Sequence, residues 1–113
     1  MGDAAEDRAL AHLRAAGLRL VARNYRTPGR GGGEVDLILR EPGGTLVFVE
    51  VRARASPHFG GAAATVGPAK QARLVRAARS YLMRLKVPPP CRFDVVAIDA
   101  GQLHWLQGAF DAG

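Results

Sequence analysis

The feature that most constrains this chain is a pair of alternating segments split by a proline-glycine turn. Glu34 to Arg40 and Thr45 to Arg54 are rich in β-branched residues, and Glu41-Pro42-Gly43-Gly44 joins them. That pattern specifies an antiparallel hairpin. Side chains alternate across a strand, so Val47, Val49, Val51 and Ala53 share one face of the later strand. Its other face starts apolar with Leu46 and Phe48, then turns charged with Glu50, Arg52 and Arg54. In the earlier strand Val35, Leu37 and Leu39 share a face, and Glu34, Asp36 and Ile38 the opposite one. If Glu41 pairs with Thr45, Pro42 suits a type I turn and Gly44 the left-handed position that closes it. Ile38 then faces Phe48, Asp36 faces Glu50, and Glu34 faces Arg52. A slip of one residue would set charged positions against valines.

Two carboxylates placed opposite each other stand about 5 Å apart at Cβ and repel. Asp36 and Glu50 therefore need a shared proton, a cation or a neighbouring Arg. One reading is a salt-bridged cluster in which Arg52 neutralises both. The other is a site for Mg²⁺ or Mn²⁺ held by Asp36 and Glu50, since Mg²⁺ favours one or two carboxylates and keeps water elsewhere. Such an ion acts on phosphodiesters, and Arg52 beside it can bind the same phosphate. Glu6 is a further acid. It either completes a capping box with Asp3 or turns inward to orient a water at the metal.

The remaining segments surround this hairpin. Asp3 to Ala16 reads as a helix capped by Asp3, apolar at Leu10, Leu13 and Ala16, and stopped by Gly17. Leu18 to Arg26 reads as a strand, followed by the glycine-rich loop Thr27 to Gly33. After a second loop, Ala55 to Val66, Pro68 opens a helix predicted to run to Lys86. Its apolar side carries Leu74, Val75, Ala78, Tyr81, Leu82 and Leu85, its other side five basic residues, with Lys70 at the edge. Arg92 to Asp99 and Gln102 to Leu106 read as strands turned at Ala100-Gly101. The order α-β-β-β-α-β-β predicts an α/β fold: one domain over residues 1–113, a mixed β-sheet flanked by helices. Asp94 is expected to pair with an Arg, or to extend the acidic site if its strand adjoins that of Glu50. His12, His58 and His104 lack ligand spacing, and Phe59, Trp105 and Phe110 read as packing residues.

Charge points to the partner. Sixteen basic residues face ten acidic ones, a net charge of +6, which favours a polyanion and above all nucleic acid. No apolar run approaches the ~20 residues of a membrane helix. Met1 to Glu6 does not look like a secretory signal, and Cys91 is the one cysteine, so no internal disulfide or cysteine-zinc cluster is expected. A cytoplasmic protein without a membrane partner is the expectation.

Two acids on one strand and Glu-x-basic on the next resemble the PD-(D/E)-x-K nuclease site. The chain is more closely similar to the YraN family of small bacterial proteins. The matching pieces run from Gly2 to Ala9 through Arg23-Asn24-Tyr25-Arg26, Gly33 to Ile38, Leu46 to Arg54, Lys70, Tyr81-Leu82 and Arg92 to Val96, to Ala109-Phe110. They span nearly the whole chain in order, and the two central motifs are the specific ones. The resemblance implies a restriction-endonuclease-like fold related to archaeal Holliday-junction resolvases. It assigns the metal to Asp36 and Glu50, a supporting role to Glu34, the helix acid of resolvases to Glu6, and a homodimer to the assembly. One position departs from the pattern. Its last member is normally Lys, and here it is Arg52, which stays charged and cannot act as a base. Lys70 would supply the missing amine if its helix end faces the site.

Three functions follow as expectations. The first is a metal-dependent endonuclease acting on DNA phosphodiesters, of branched DNA or Holliday junctions among others, with Asp36, Glu50, Arg52, Glu34, Glu6 and Lys70 as its catalytic set. The second is a non-catalytic nucleic-acid-binding module on a degenerate nuclease fold. Arg52, Arg54, Lys70, Arg73 and Arg76 are the nucleic-acid contacts of either. The third is a protein-interaction domain whose charge is merely solvated.

Overall fold

The structure, a computed structural model, describes residues 3–29, 31–55 and 61–112. Helix α1 (Ala4–Ala15) leads to strands β1 (Arg19–Arg26), β2 (Glu34–Arg40) and β3 (Leu46–Arg54). A 3₁₀ turn (Ala62–Thr65) and helix α2 (Pro68–Leu82) follow, then β4 (Cys91–Asp99) and β5 (Gln102–Phe110). The strands form one mixed sheet in the order β1-β2-β3-β4-β5. Only β3 and β4 run parallel, because α2 carries the chain between them. This is the α-β-β-β-α-β-β order and mixed sheet expected of the fold. Among the described residues, no helix is long and apolar enough to cross a membrane.

Each face of the sheet packs on one helix. Leu37, Leu39, Val47, Val49, Val51 and Val96 meet Ala9, Leu10 and Leu13 of α1. Ile38, Leu46, Phe48, Phe93 and Val95 meet Leu74, Ala77 and Ala78 of α2. Phe48 is fully buried, and burying such a side chain contributes about 3 kcal/mol. Its ring lies 5.7 Å from that of Phe93 and 6.3 Å from that of Tyr81. Tyr81 in turn meets Tyr25, whose hydroxyl is 3.0 Å from Ser80 Oγ. This aromatic run pins the C-terminal half of α2 against β1 and β3, which fixes where the first turn of α2 projects.

Sequence chemistry accounts for the ends of the elements. Asp3 caps α1 by accepting from the Ala5 and Glu6 amides at 2.8 and 3.3 Å. The β2–β3 turn closes as expected: Glu41 N–H donates to Thr45 O, Gly44 N–H to Glu41 O, and Gly44 sits at φ 102°. Helix α2 ends at Leu82, short of the expected Lys86, and its last apolar residues continue in a turn. Strand β5 runs four residues past the expected Leu106, because Gly108 (φ 59°) bulges and lets pairing resume at Phe110.

The hairpin register is as expected from Arg40↔Leu46 to Leu37↔Val49, and there it stops. Asp36 Oδ2 accepts the Val51 N–H at 2.8 Å. A side chain thus takes the bond a backbone carbonyl of β2 would otherwise accept, and the strands part. Strict alternation also fails at this point, for Val35 belongs with Ile38 in the α2 cluster whereas Leu37 belongs to the α1 cluster. The expectations that Val35 shares a face with Leu37 and that Glu34 faces Arg52 are therefore corrected. Strand β1 twists alongside, with a bulge between Leu20 and Ala22 and Asn24 at φ 54°.

Candidate active site

The parting of β2 from β3 opens a polar notch beneath the first turn of α2. Glu50 faces that helix and is 2% exposed. Its Oε2 lies 3.1 Å from an Arg52 Nη and 3.4 Å from Lys70 Nζ. Its Oε1 is buried and has no hydrogen-bond partner. The Asp36 carboxyl is close enough for the two acids to share a hydrogen bond when one is protonated. Burial first, then the Asp36 charge and that bond, push Glu50 up to about 8, while Lys70 and Arg52 pull the other way. Burial and the neighbouring acid favour the protonated form, and a divalent ion would favour the ionised one.

Lys70 reaches the notch because Pro68 starts α2 one turn before the helix crosses β2. Its amine donates to Glu34 Oε1 at 3.0 Å and is only 16% exposed. Glu34 also receives Arg73 at 3.1 Å and Arg26 at 3.6 Å. The Lys70 hydrogen bond, ahead of the surrounding charges, holds Glu34 below the usual carboxylate range. Glu34 thus gathers three cations, while Glu50 shares one oxygen between Arg52 and Lys70.

Glu6 approaches from the opposite helix. It is buried and accepts from Arg23 Nε at 3.4 Å, and a second nitrogen of Arg23 binds Asp7 at 2.6 Å. Burial, then the Asp36 and Asp3 charges, raise its pKa against the pull of Arg23. The Glu6 carboxylate thus pairs with Arg23 within reach of the Asp36 charge, and the helix cap is made by the Asp3 side chain.

The expected site residues Glu6, Glu34, Asp36, Glu50, Arg52 and Lys70 thus come together at one notch. Arg73 joins through Glu34, and Arg76 donates to Gly31 O one helical turn further on. Arg54 stays apart, exposed at the end of β3. Among the described residues no group of three or more His, Cys, Asp or Glu side chains is arranged to hold a metal, so any ion here has two carboxylate ligands. That number fits Mg²⁺, which leaves its other positions to water and substrate phosphate, and the orphaned Glu50 Oε1 is a free donor for it.

Comparison with known proteins adds the lineage. The profile described as "Uncharacterised protein family UPF0102" matches residues 5–98. The chain belongs to UPF0102, the YraN family. It is 70% identical over 112 residues to a UPF0102 protein of Paracidovorax citrulli, covering 99% of this chain and 83% of the relative. A UPF0102 protein of Albidiferax ferrireducens is 66% identical, with 98% and 87% covered. One from Methylibium petroleiphilum is 64% identical, with 99% and 94% covered. No solved structure matches.

Two members of this UPF0102 site escape a reading of the sequence. Arg23 and Arg26 stand three residues apart on opposite faces of β1, so that Arg23 meets Glu6 and Asp7 of α1 while Arg26 meets Glu34 on the α2 side. Asp94 does not extend the acidic site. It pairs in register with Val49, facing α1, and is saturated by Arg92 (3.0 Å), Trp105 Nε1 (2.8 Å) and the Gly108 amide (2.9 Å). His12 and His104 stay outside the notch, His12 stacking edge-on against Trp105. His58 and Phe59 lie outside the described residues.

Proposed function

We propose that this chain is a divalent-metal-dependent nuclease acting on DNA phosphodiester bonds, branched DNA among them. The observation that carries the reading is the buried Glu50, with its orphaned oxygen, set against the half-buried Asp36 and beside an amine and a guanidinium. Asp36 and Glu50 are the residues that would hold Mg²⁺ or Mn²⁺. The ion, when bound, supplies Lewis-acid polarisation of the phosphodiester and acidifies water. Lys70 stands where an amine can neutralise charge developing on phosphorus, the task left open by Arg at position 52. Arg52 has a buried Nε without a partner and exposes part of its guanidinium, which suits it to grip a phosphate. Glu34 is a positioning residue that orients Lys70, and Glu6 enters from α1 as a second proton acceptor near Asp36. Net charge of +6 draws the polyanion in.

Incubation of the pure protein with linear, flapped and four-way-branched DNA and Mg²⁺ or Mn²⁺ tests this. Cleavage that is lost with EDTA and with Asp36→Asn supports it. Absence of cleavage on every substrate sinks it.

One observation favours a second reading. Lys70 and Arg52 already compensate Glu50 Oε2 without any metal, as in a nucleic-acid-binding module that no longer turns over. That reading requires binding that weakens steeply with salt and is indifferent to EDTA, with no cleavage. A homodimer and a cytoplasmic location complete the proposal, and sedimentation at micromolar protein tests the first.

A further inference from the structure

Beside the notch, on the far side of Glu34, lies an open cleft of about 360 Å³ lined by Arg26, Arg73, Arg76 and the backbone of Gly31 to Gly33. Its wall is built tightly. A Cβ on Gly33 would stand 2.2 Å from Arg73 O and 2.3 Å from Ala77 N, and one on Gly32 would stand 1.8 Å from Thr27 Oγ1. Thr27 and Gly33 are tied by two bonds, Gly33 N–H to Thr27 Oγ1 at 2.8 Å and Thr27 N–H to Gly33 O at 3.0 Å. The two glycines thus let the chain after β1 close directly on the backbone of α2, where two arginines of that helix and one of β1 converge.

Each arginine is steered by a single acceptor, Arg26 and Arg73 by Glu34 and Arg76 by Gly31 O. A guanidinium has five N–H donors in a planar fork, so each retains donors for a ligand. Three guanidinium groups face one carboxylate, and that carboxylate already takes Lys70. The cleft is therefore a cationic cradle of the size and donor geometry that suits a tetrahedral oxyanion. Lys70 belongs to both places, since it contacts Glu34 on the cleft side and Glu50 on the notch side.

We propose that this cleft is a metal-independent phosphate subsite, which holds a backbone phosphodiester of the same nucleic-acid strand whose neighbouring phosphate lies at Asp36 and Glu50. The inference rests on the nucleic-acid reading of the notch, but not on catalysis. It adds Arg26 to the nucleic-acid contacts and gives Glu34 the role of holding the cleft's arginines. It also sets the path of the strand along the first two turns of α2.

The experiment is a fluorescence-anisotropy titration of a single-stranded oligonucleotide in EDTA at several salt concentrations, with wild type, Arg26→Ala, Arg76→Ala, Asp36→Asn and the remote control Arg14→Ala. Arg26 is largely exposed, so its loss leaves the fold alone. The expected result is a roughly 5- to 10-fold weaker Kd for each cleft variant. The slope of log K against log salt should also shrink by about 0.7 per arginine, the single-strand value per phosphate contact. Arg14→Ala should bind as wild type, and Asp36→Asn, which removes a negative charge from the path of the strand, should bind no more weakly than wild type. Equal Kd and slope for Arg26→Ala and wild type would overturn the subsite. So would inorganic phosphate, at matched ionic strength, displacing the oligonucleotide from Arg26→Ala as well as from wild type, which would put the phosphate site elsewhere. Binding that depends on the cleft without any cleavage keeps the subsite and sinks the nuclease. Asp36-dependent cleavage with binding insensitive to the cleft does the reverse.

Discussion

Glu50 and Asp94 occupy adjacent strands of one sheet, and both are almost wholly shielded from water. Asp94, on the α1 side, accepts two Arg92 nitrogens, the Trp105 indole and a backbone amide. Glu50, on the α2 side, shares one oxygen between Arg52 and Lys70, leaves the other without a partner, and has a second acid against it. A buried carboxylate with every lone pair satisfied is a structural device that holds β5 to β4. A buried carboxylate left short of positive charge stores a demand for a cation. The same residue chemistry, at the same depth, is structure on one face and a candidate for function on the other.

That contrast can be broken in graded ways. The largest effect expected is on cleavage: Asp36→Asn and Glu50→Gln should each lower the rate by about 1,000-fold, about 4 kcal/mol of barrier, while leaving Tm unchanged or higher. Asp94→Ala should do the opposite. It leaves the Trp105 indole and the Gly108 amide without their acceptor and Arg92 with Glu41 alone, and should cost about 3 kcal/mol of stability measured by urea unfolding, with residual activity per folded molecule intact. Lys70→Ala comes next, with a rate loss of roughly 10- to 100-fold, larger than that of Arg52→Ala. Equal losses for the two would mean that the amine has no special place.

The pH dependence of stability sharpens the same point. Glu50 binds its proton more tightly folded than unfolded, so the folded state is favoured below the ordinary carboxylate range. That advantage is lost as pH rises through about 8. Glu34 has the reverse sign, since its lowered value gives stability that is present above the ordinary range and lost on acidification. Urea unfolding of wild type from pH 5 to 9 should show stability falling with pH, and Glu50→Gln should flatten the curve. The smallest effect is expected at the far end of the hairpin. Gly44→Ala forces a side chain into φ 102° and should cost about 1 kcal/mol without altering cleavage. A lost activity there would mean that hairpin register, not local surroundings, sets the acid pair.

Much of this site is legible in the sequence, and the reason is periodicity. Alternation in β2 and β3 and a three-residue turn with Gly44 set the register as far as Leu37↔Val49 and put Asp36 and Glu50 where the ladder opens. Pro68 marks the helix start that delivers Lys70. What alternation does not carry is any place where a side chain replaces the backbone. Asp36 taking the Val51 amide ends the ladder, sends Glu34 to α2 instead of Arg52, and shifts Val35 to the other core. The saturation of Asp94 was equally hidden, because it depends on a bulge at Gly108 well beyond the expected end of β5.

The central claim is that Asp36 and Glu50 form a pair that takes up a divalent ion. Anomalous diffraction from crystals of the protein soaked in Mn²⁺ tests it most directly. The account predicts a single strong peak at about 2.1 Å from an oxygen of each carboxylate, with the Glu50 Oε1 now occupied, and no such peak in Asp36→Asn. Crystals that diffract well and show no density between the two acids, with Glu50 still paired only to Lys70 and Arg52, would contradict it.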